Sequence, residues 1–99
     1  MPLIPPAKKT RKPVYRDVAF AVRLENAREV AVTGDFTAWS REGLRLASGS
    51  GGNWGATLKL APGEYQYRLL VDGEWRDDPL APKRVANPYG SENGVLIVP

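Results

Sequence analysis
Between Tyr65 and Trp75 the chain reads Tyr-Gln-Tyr-Arg-Leu-Leu-Val-Asp-Gly-Glu-Trp, an alternating apolar run that meets an Asp-Gly pair and turns back on a tryptophan. Asp-Gly flanked by period-2 apolar sequence is the strongest short-range hairpin signal, because both central positions of a type I′ turn need a positive φ. A two-residue turn sets Val71 opposite Glu74, Leu70 opposite Trp75 and Arg68 opposite Asp77. That register places Arg68, Leu70 and Trp75 on one face and Tyr65, Tyr67, Leu69 and Val71 on the other. The second face has the composition of a core. The first mixes a flat aromatic with a charged fork, as a binding surface does.

Around this hairpin there is room for one small domain. A chain of 99 residues buries only about 60 to 65% of its unfolded surface, enough for a single core between two layers. The sequence lacks cysteine and histidine, which excludes a disulfide scaffold, thiol catalysis and Cys/His zinc sites. No Asp-rich loop has the spacing of a helix-loop-helix calcium site, and no cofactor is expected. The formal net charge of +3 is localised: Lys8, Lys9, Arg11, Lys12 and Arg16 are five of fourteen basic residues, while all eleven acidic residues follow from Asp17. The rest of the chain thus has nine basic and eleven acidic groups, a formal −2, so no cationic surface is expected on the domain. Residues 1–16 are read as a basic, proline-containing, disordered tail and residues 17–99 as the folded domain. The apolar run near the start is too short and proline-broken for a signal peptide, and nothing later approaches a membrane span. A cytoplasmic location is the default expectation.

The remaining segments read as short strands. Val18, Phe20, Val22 and Leu24 share one face of the first, and Glu29 to Thr33 form a second; the two are expected to form a hairpin or to bracket the edge of one sheet. In Gly34-Asp35-Phe36-Thr37-Ala38-Trp39-Ser40, glycine ends the strand, Asp35 can bond its own loop, Phe36 plugs the end of the sandwich, and Trp39 is a candidate for exposure. An indole in a loop is more often a core plug than a ligand platform unless something else converges on it. Leu44 and Leu46 suggest a short strand, followed by a glycine-rich connection through Asn53 that lacks the features of a phosphate cradle. Trp54, Ala56, Leu58 and Leu60 alternate as a core-facing set. Ala61 to Glu64 is a turn. Residues 76–94 contain three prolines and no period, and so long an irregular segment is expected to cover an edge or to hold ligand-binding groups. Val95 to Val98 close the chain as a final strand. About seven short antiparallel strands with regularly spaced turns indicate an all-β, immunoglobulin-like β-sandwich.

The ordered series Gly34 to Trp39, Trp54 to Leu60, Pro62 to Trp75, Asp78-Pro79 and Tyr89 to Asn93 resembles the family 48 carbohydrate-binding modules. These include the glycogen-binding domain of AMP-activated protein kinase beta subunits and the early-set modules of starch branching and debranching enzymes. The likeness covers roughly Val18 to Val98. It implies an early-set sandwich that binds α-1,4-linked glucan (glycogen, starch, maltooligosaccharide or cyclodextrin) without hydrolysing it. By the same resemblance Trp39 and Trp75 stack on glucose, Arg68 stands where a lysine bonds sugar hydroxyls, and Asn93 supplies the matching amide of the late loop. Ser91 replaces a threonine there, and Tyr89 replaces a leucine, either as a third stacking surface or packed over Pro88. A neutral polyhydroxylated chain wants flat aromatic surfaces and a few aimed donors and acceptors, which these residues provide.

Three other classes of function are set against this. A protein-interaction or scaffold module of a kinase-like complex or glucan-active enzyme, with little affinity for sugar, would use the same aromatics against a catalytic domain or kinase partner. Catalysis is disfavoured because Asp77 and Asp78 are adjacent, hence on opposite faces of an extended chain, and cannot form the facing pair that glycoside hydrolysis requires. Nucleic-acid binding is disfavoured because the basic residues are not interleaved with the aromatics, and no membrane partner is expected.

Overall fold
The computed structural model describes residues 14–99. Nine strands and two short 3-10 turns make up its regular structure: β1 (Arg16–Arg23), β2 (Val30–Gly34), β3 (Leu44–Arg45), β4 (Ala47–Ser48), β5 (Asn53–Leu60), β6 (Gly63–Val71), β7 (Glu74–Arg76), β8 (Arg84–Ala86) and β9 (Glu92–Val98). They form two antiparallel sheets. One runs β1-β5-β4; the other runs β3-β2-β6-β9-β8, with β7 also paired to β6. The fold is the small all-β sandwich expected. Most of the expected tail, up to residue 13, lies outside the described residues, and Arg16, assigned to that tail, opens β1.

The core lies where the inward rows of the two sheets meet. Phe20, Val22, Trp54, Leu58 and Leu60 come from one sheet, and Val30, Val32, Tyr67, Leu69, Val71 and Val98 from the other. Phe20 and Tyr67 meet across the layers edge to face, with ring centroids 5.2 Å apart, the geometry the ring quadrupoles favour. Trp54, 9% exposed, donates its indole N–H to the Leu24 carbonyl at 3.2 Å and is a structural residue, as its place in the alternating row of β5 indicates. Phe36 is half-buried against the core and meets Tyr65 edge to face.

The hairpin register is the one the Asp-Gly turn dictates: Val71 opposes Glu74 and Leu70 opposes Trp75. Asp72 and Gly73 have φ of +52° and +84°, the two positive values of a type I′ turn. Past the end of β7, Arg68 and Asp77 still meet as an ion pair at 2.7 Å.

Three local expectations are corrected. First, β1 and β2 neither form a hairpin nor bracket one sheet; they belong to different sheets. Both carry a row of core-facing apolar residues, and a crossing from one layer to the other buries both rows against each other. The turn around Asn26 (φ +66°) makes the crossing, and the Asp72 carboxylate holds its far end by accepting the backbone N–H groups of Arg28 and Glu29, each at 2.9 Å. Second, the segment around Leu44 and Leu46 is two strands rather than one. Leu44–Arg45 pairs with β2, Ala47–Ser48 pairs with β5, and buried Leu46 is the point of transfer between sheets. Third, the irregular segment 76–94 contains β8, which pairs with β9 through Val85 opposite Asn93. Flanking prolines hide a three-residue strand whose existence depends on its partner rather than on its own pattern.

Candidate functional site
On β6 the residues that alternate with the core row are Gln66, Arg68 and Leu70, and these face away from the sandwich interior. Gln66 and Arg68 line a cleft of about 720 Å³, together with Asp35, Trp39, Arg41, Trp75, Asn87, Pro88, Tyr89 and Asn93. Three separate parts of the chain converge there: the loop after β2, the β6–β7 hairpin and the loop between β8 and β9.

The first loop aims Trp39. Ala38 and Trp39 both have φ in the left-handed region, +54° and +56°, a conformation that costs a non-glycine residue roughly 1 to 2 kcal/mol. Hydrogen bonds offset the strain. The Trp39 backbone N–H donates to the Gly34 carbonyl at 2.9 Å, and the buried Thr33 hydroxyl donates to the Ser40 carbonyl at 2.7 Å. The Asp35 carboxylate then fixes the ring: one oxygen accepts the Trp39 indole N–H at 3.0 Å, and the other accepts the Gln66 backbone N–H at 2.7 Å. Gly34 is required by close approach, since a Cβ there would overlap the Gln66 carbonyl oxygen.

The hairpin supplies Arg68 and Trp75. The indoles of Trp39 and Trp75 lie with centroids 6.3 Å apart and planes tilted by 34°, and Trp75 is 38% exposed. The Arg68 guanidinium sits 5.8 Å from the Trp75 ring centroid, within cation–π range. Arg68 Nε donates to Asp77 Oδ1 at 3.0 Å, and Nη2 lies 2.7 Å from the same oxygen as an ion pair. The pair holds the guanidinium in place and matches its charge, which leaves an oriented fork rather than a net cation.

The third segment is organised by Asn87. Its Oδ1 accepts the backbone N–H groups of Tyr89 (2.9 Å) and Ser91 (3.1 Å). Its Nδ2 donates to Asn93 Oδ1 at 2.9 Å, and Asn93 Nδ2 donates in turn to Gln66 Oε1 at 2.9 Å. Asn93, 8% exposed, is therefore tied into an amide relay on the cleft wall. The Ser91 hydroxyl is bonded to the Asn87 side chain and does not line the cleft. Tyr89 stands on the rim, 89% exposed. Of the six residues singled out from sequence, the structure brings five together, Trp39, Arg68, Trp75, Tyr89 and Asn93, and turns Ser91 into the loop.

Sequence reading missed the roles of Asp35, Gln66, Arg41 and Asn87 at this cleft. Gln66 could have been found from its period-2 spacing to Arg68. Asp35 was noted only as a loop residue, and an asparagine beside a proline carries no local sign that it braces three neighbours.

The two neighbouring carboxylates have separate uses. Asp77 holds Arg68, whereas buried Asp78 accepts the Tyr67 hydroxyl at 2.6 Å and the Leu80 backbone N–H at 2.9 Å. Burial, reinforced by Asp78, raises the Tyr67 phenol well above its ordinary pKa, so it stays a protonated donor.

The family model described as the glycogen recognition site of AMP-activated protein kinase matches residues 19–99. The chain is 38% identical to protein PTST homolog 2, chloroplastic, of Arabidopsis thaliana over 74% of its own length and 13% of that protein's. It is 39% identical to protein FLOURY ENDOSPERM 6, chloroplastic, of Oryza sativa subsp. japonica, over 73% and 13%. With the 5'-AMP-activated protein kinase subunit beta-1 of Sus scrofa the identity is 39% over 72% of this chain and 55% of the relative. The matched stretch thus spans less than two thirds of each of these relatives. A family match over residues 19–99, carried on a sandwich that sets Trp39, Arg68 and Trp75 in one cleft, shows that the chain belongs to the family of the glycogen recognition site of AMP-activated protein kinase.

Proposed function
We propose that this module binds α-1,4-linked glucan without catalysis, by stacking glucose rings on Trp39 and Trp75 and bonding their hydroxyls from the cleft walls. The observation that carries the reading is the pair of indoles, 6.3 Å apart and tilted by 34°, above a charge-matched arginine. Indole faces cover the apolar faces of pyranose rings. The tilt suits a chain that curves, as α-1,4 linkage makes it, better than a flat one. Arg68 offers its remaining N–H donors, and the Gln66–Asn93–Asn87 amides supply donors and acceptors that need no titration. With Asp77 turned to Arg68 and Asp78 buried against Tyr67, the neighbouring carboxylates do not form the facing pair of a glycosidase.

A partner follows from the same reading. The porcine relative is named as a subunit of a kinase, and a glucan-binding module joined to a kinase or a glucan-active enzyme would hold that partner at its polymer.

The test is a calorimetric titration of the protein with maltoheptaose, repeated on Trp75→Ala. Saturable binding that the substitution weakens supports the proposal. A flat titration for the wild-type chain, under conditions where it is folded, sinks it.

A further inference from the structure
The outer face of the larger sheet holds a second hollow, of about 420 Å³, beside the tryptophan cleft. Its floor is Ala31 and Leu70, its rim carries Glu29, Arg41, Glu42 and Arg45, and Gly73 borders it at the hairpin end. The two hollows adjoin: Arg41 lines both. Leu70, on the floor of the second, is the cross-strand partner of Trp75 in the first. The registers also set Arg45 opposite Ala31 and Ala31 opposite Leu70. One level of the sheet therefore reads Arg45, Ala31, Leu70, Trp75. Along β6, Gln66 and Arg68 line the first hollow and Leu70 the second, a row of about 13 Å at a rise of roughly 3.3 Å per residue.

The chemistry of the second hollow is that of a sugar site rather than an ion site. Leu70 and Ala31 are buried and give it an apolar floor. Two carboxylates and two guanidiniums surround that floor with cancelling charge, and the Glu29–Arg45 pair at 3.2 Å sets an acceptor beside a fork of donors. Neighbouring hydroxyls of a pyranose meet such a pair with one donor and one acceptor contact. A phosphate or another anion would meet Glu29 and Glu42.

We infer that this hollow is an extension subsite, which takes further glucose units of a longer linear α-glucan as the chain leaves the Trp39–Trp75 cleft past Arg41. The inference rests on the glucan-binding reading above and adds a chain-length preference to it. Maltotriose is covered by the first cleft alone; a long maltooligosaccharide reaches both.

The experiment is a titration of the wild type, Arg45→Ala and the Glu29→Gln/Arg45→Ala double variant with maltotriose and with maltodecaose, beside a thermal melt of each. Arg45 is exposed and its removal leaves the core intact. The variants are expected to lose roughly three- to tenfold in affinity for maltodecaose, the scale of a hydrogen bond or two, with maltotriose affinity and melting temperature unchanged. Unaltered maltodecaose affinity, or an equal loss for both sugars, overturns the extension subsite while leaving the primary cleft standing. If the wild type binds neither sugar, both readings fall together, a result distinct from the first two.

Discussion

At the scale of single residues, the three tryptophans divide by environment. Trp54 is an inward member of the β5 row, with its N–H bonded to a backbone carbonyl; Trp39 and Trp75 lie together in the cleft outside the sandwich core. Trp54→Ala should cost on the order of 3 to 5 kcal/mol of stability, because it leaves a large cavity between the layers. Trp39→Ala and Trp75→Ala should leave the melting temperature close to wild type and weaken glucan binding by roughly 1 to 3 kcal/mol, the cost of removing an aromatic anchor. A melt and a titration of the three variants check both halves. Trp54 and Trp75 could be sorted from period-2 patterning alone. The placement of Trp39 could not, because a loop has no period, and its aim depends on an Asp35 carboxylate that also holds the next strand over. Asn93 shows another limit. Its position was legible, but its burial in an amide relay depends on Asn87 and Gln66, six and twenty-seven residues away.

At the scale of elements, the hairpin was readable to the residue because its turn is local chemistry: two positive-φ positions set the register, and the register sets the faces. The sheet assignments of β1 and β2 were not readable, because turn composition does not say which layer a chain enters next. That crossing depends on a distant group, the Asp72 carboxylate. The backbone N–H groups of Glu29 and then Arg28 hold its pKa below the ordinary value. A carboxylate with a depressed folded pKa stabilises the fold above its unfolded pKa of about 4 and loses that contribution as pH falls through the folded value. Asp72→Asn should therefore lower the midpoint of urea unfolding at pH 7, and the gap to wild type should narrow as the pH is taken below about 4. A gap that stays constant with pH would remove the charge from the explanation. The end of β2 is also constrained by contact: Gly34→Ala should destabilise the protein by about 1 to 3 kcal/mol, as overpacking does, since the new methyl would have to displace the β6 backbone at Gln66. Urea unfolding measures this as well. The strand β8 was missed because it exists only by pairing with β9.

At the scale of the whole molecule, the sandwich brings together three stretches that sequence order keeps apart: 35–41, 66–75 and 87–93. The six-stranded sheet is the platform. Its core row holds the layers together, and its outer row carries the cleft. The cleft's charges are matched, Arg68 by Asp77, so binding of a neutral glucan should change by no more than about twofold between low and high salt. A polyanion held by several phosphate contacts would lose affinity by about a thousandfold or more over a comparable range. Titration at two ionic strengths separates these cases. The central claim is that glucose rings stack on the Trp39–Trp75 pair. It is tested most directly by following the indole N–H resonances of the three tryptophans by nitrogen–proton NMR during addition of maltoheptaose. The resonances of Trp39 and Trp75 should move together along one saturation curve while that of Trp54 stays in place. Saturable binding with Trp39 and Trp75 unmoved would contradict the account.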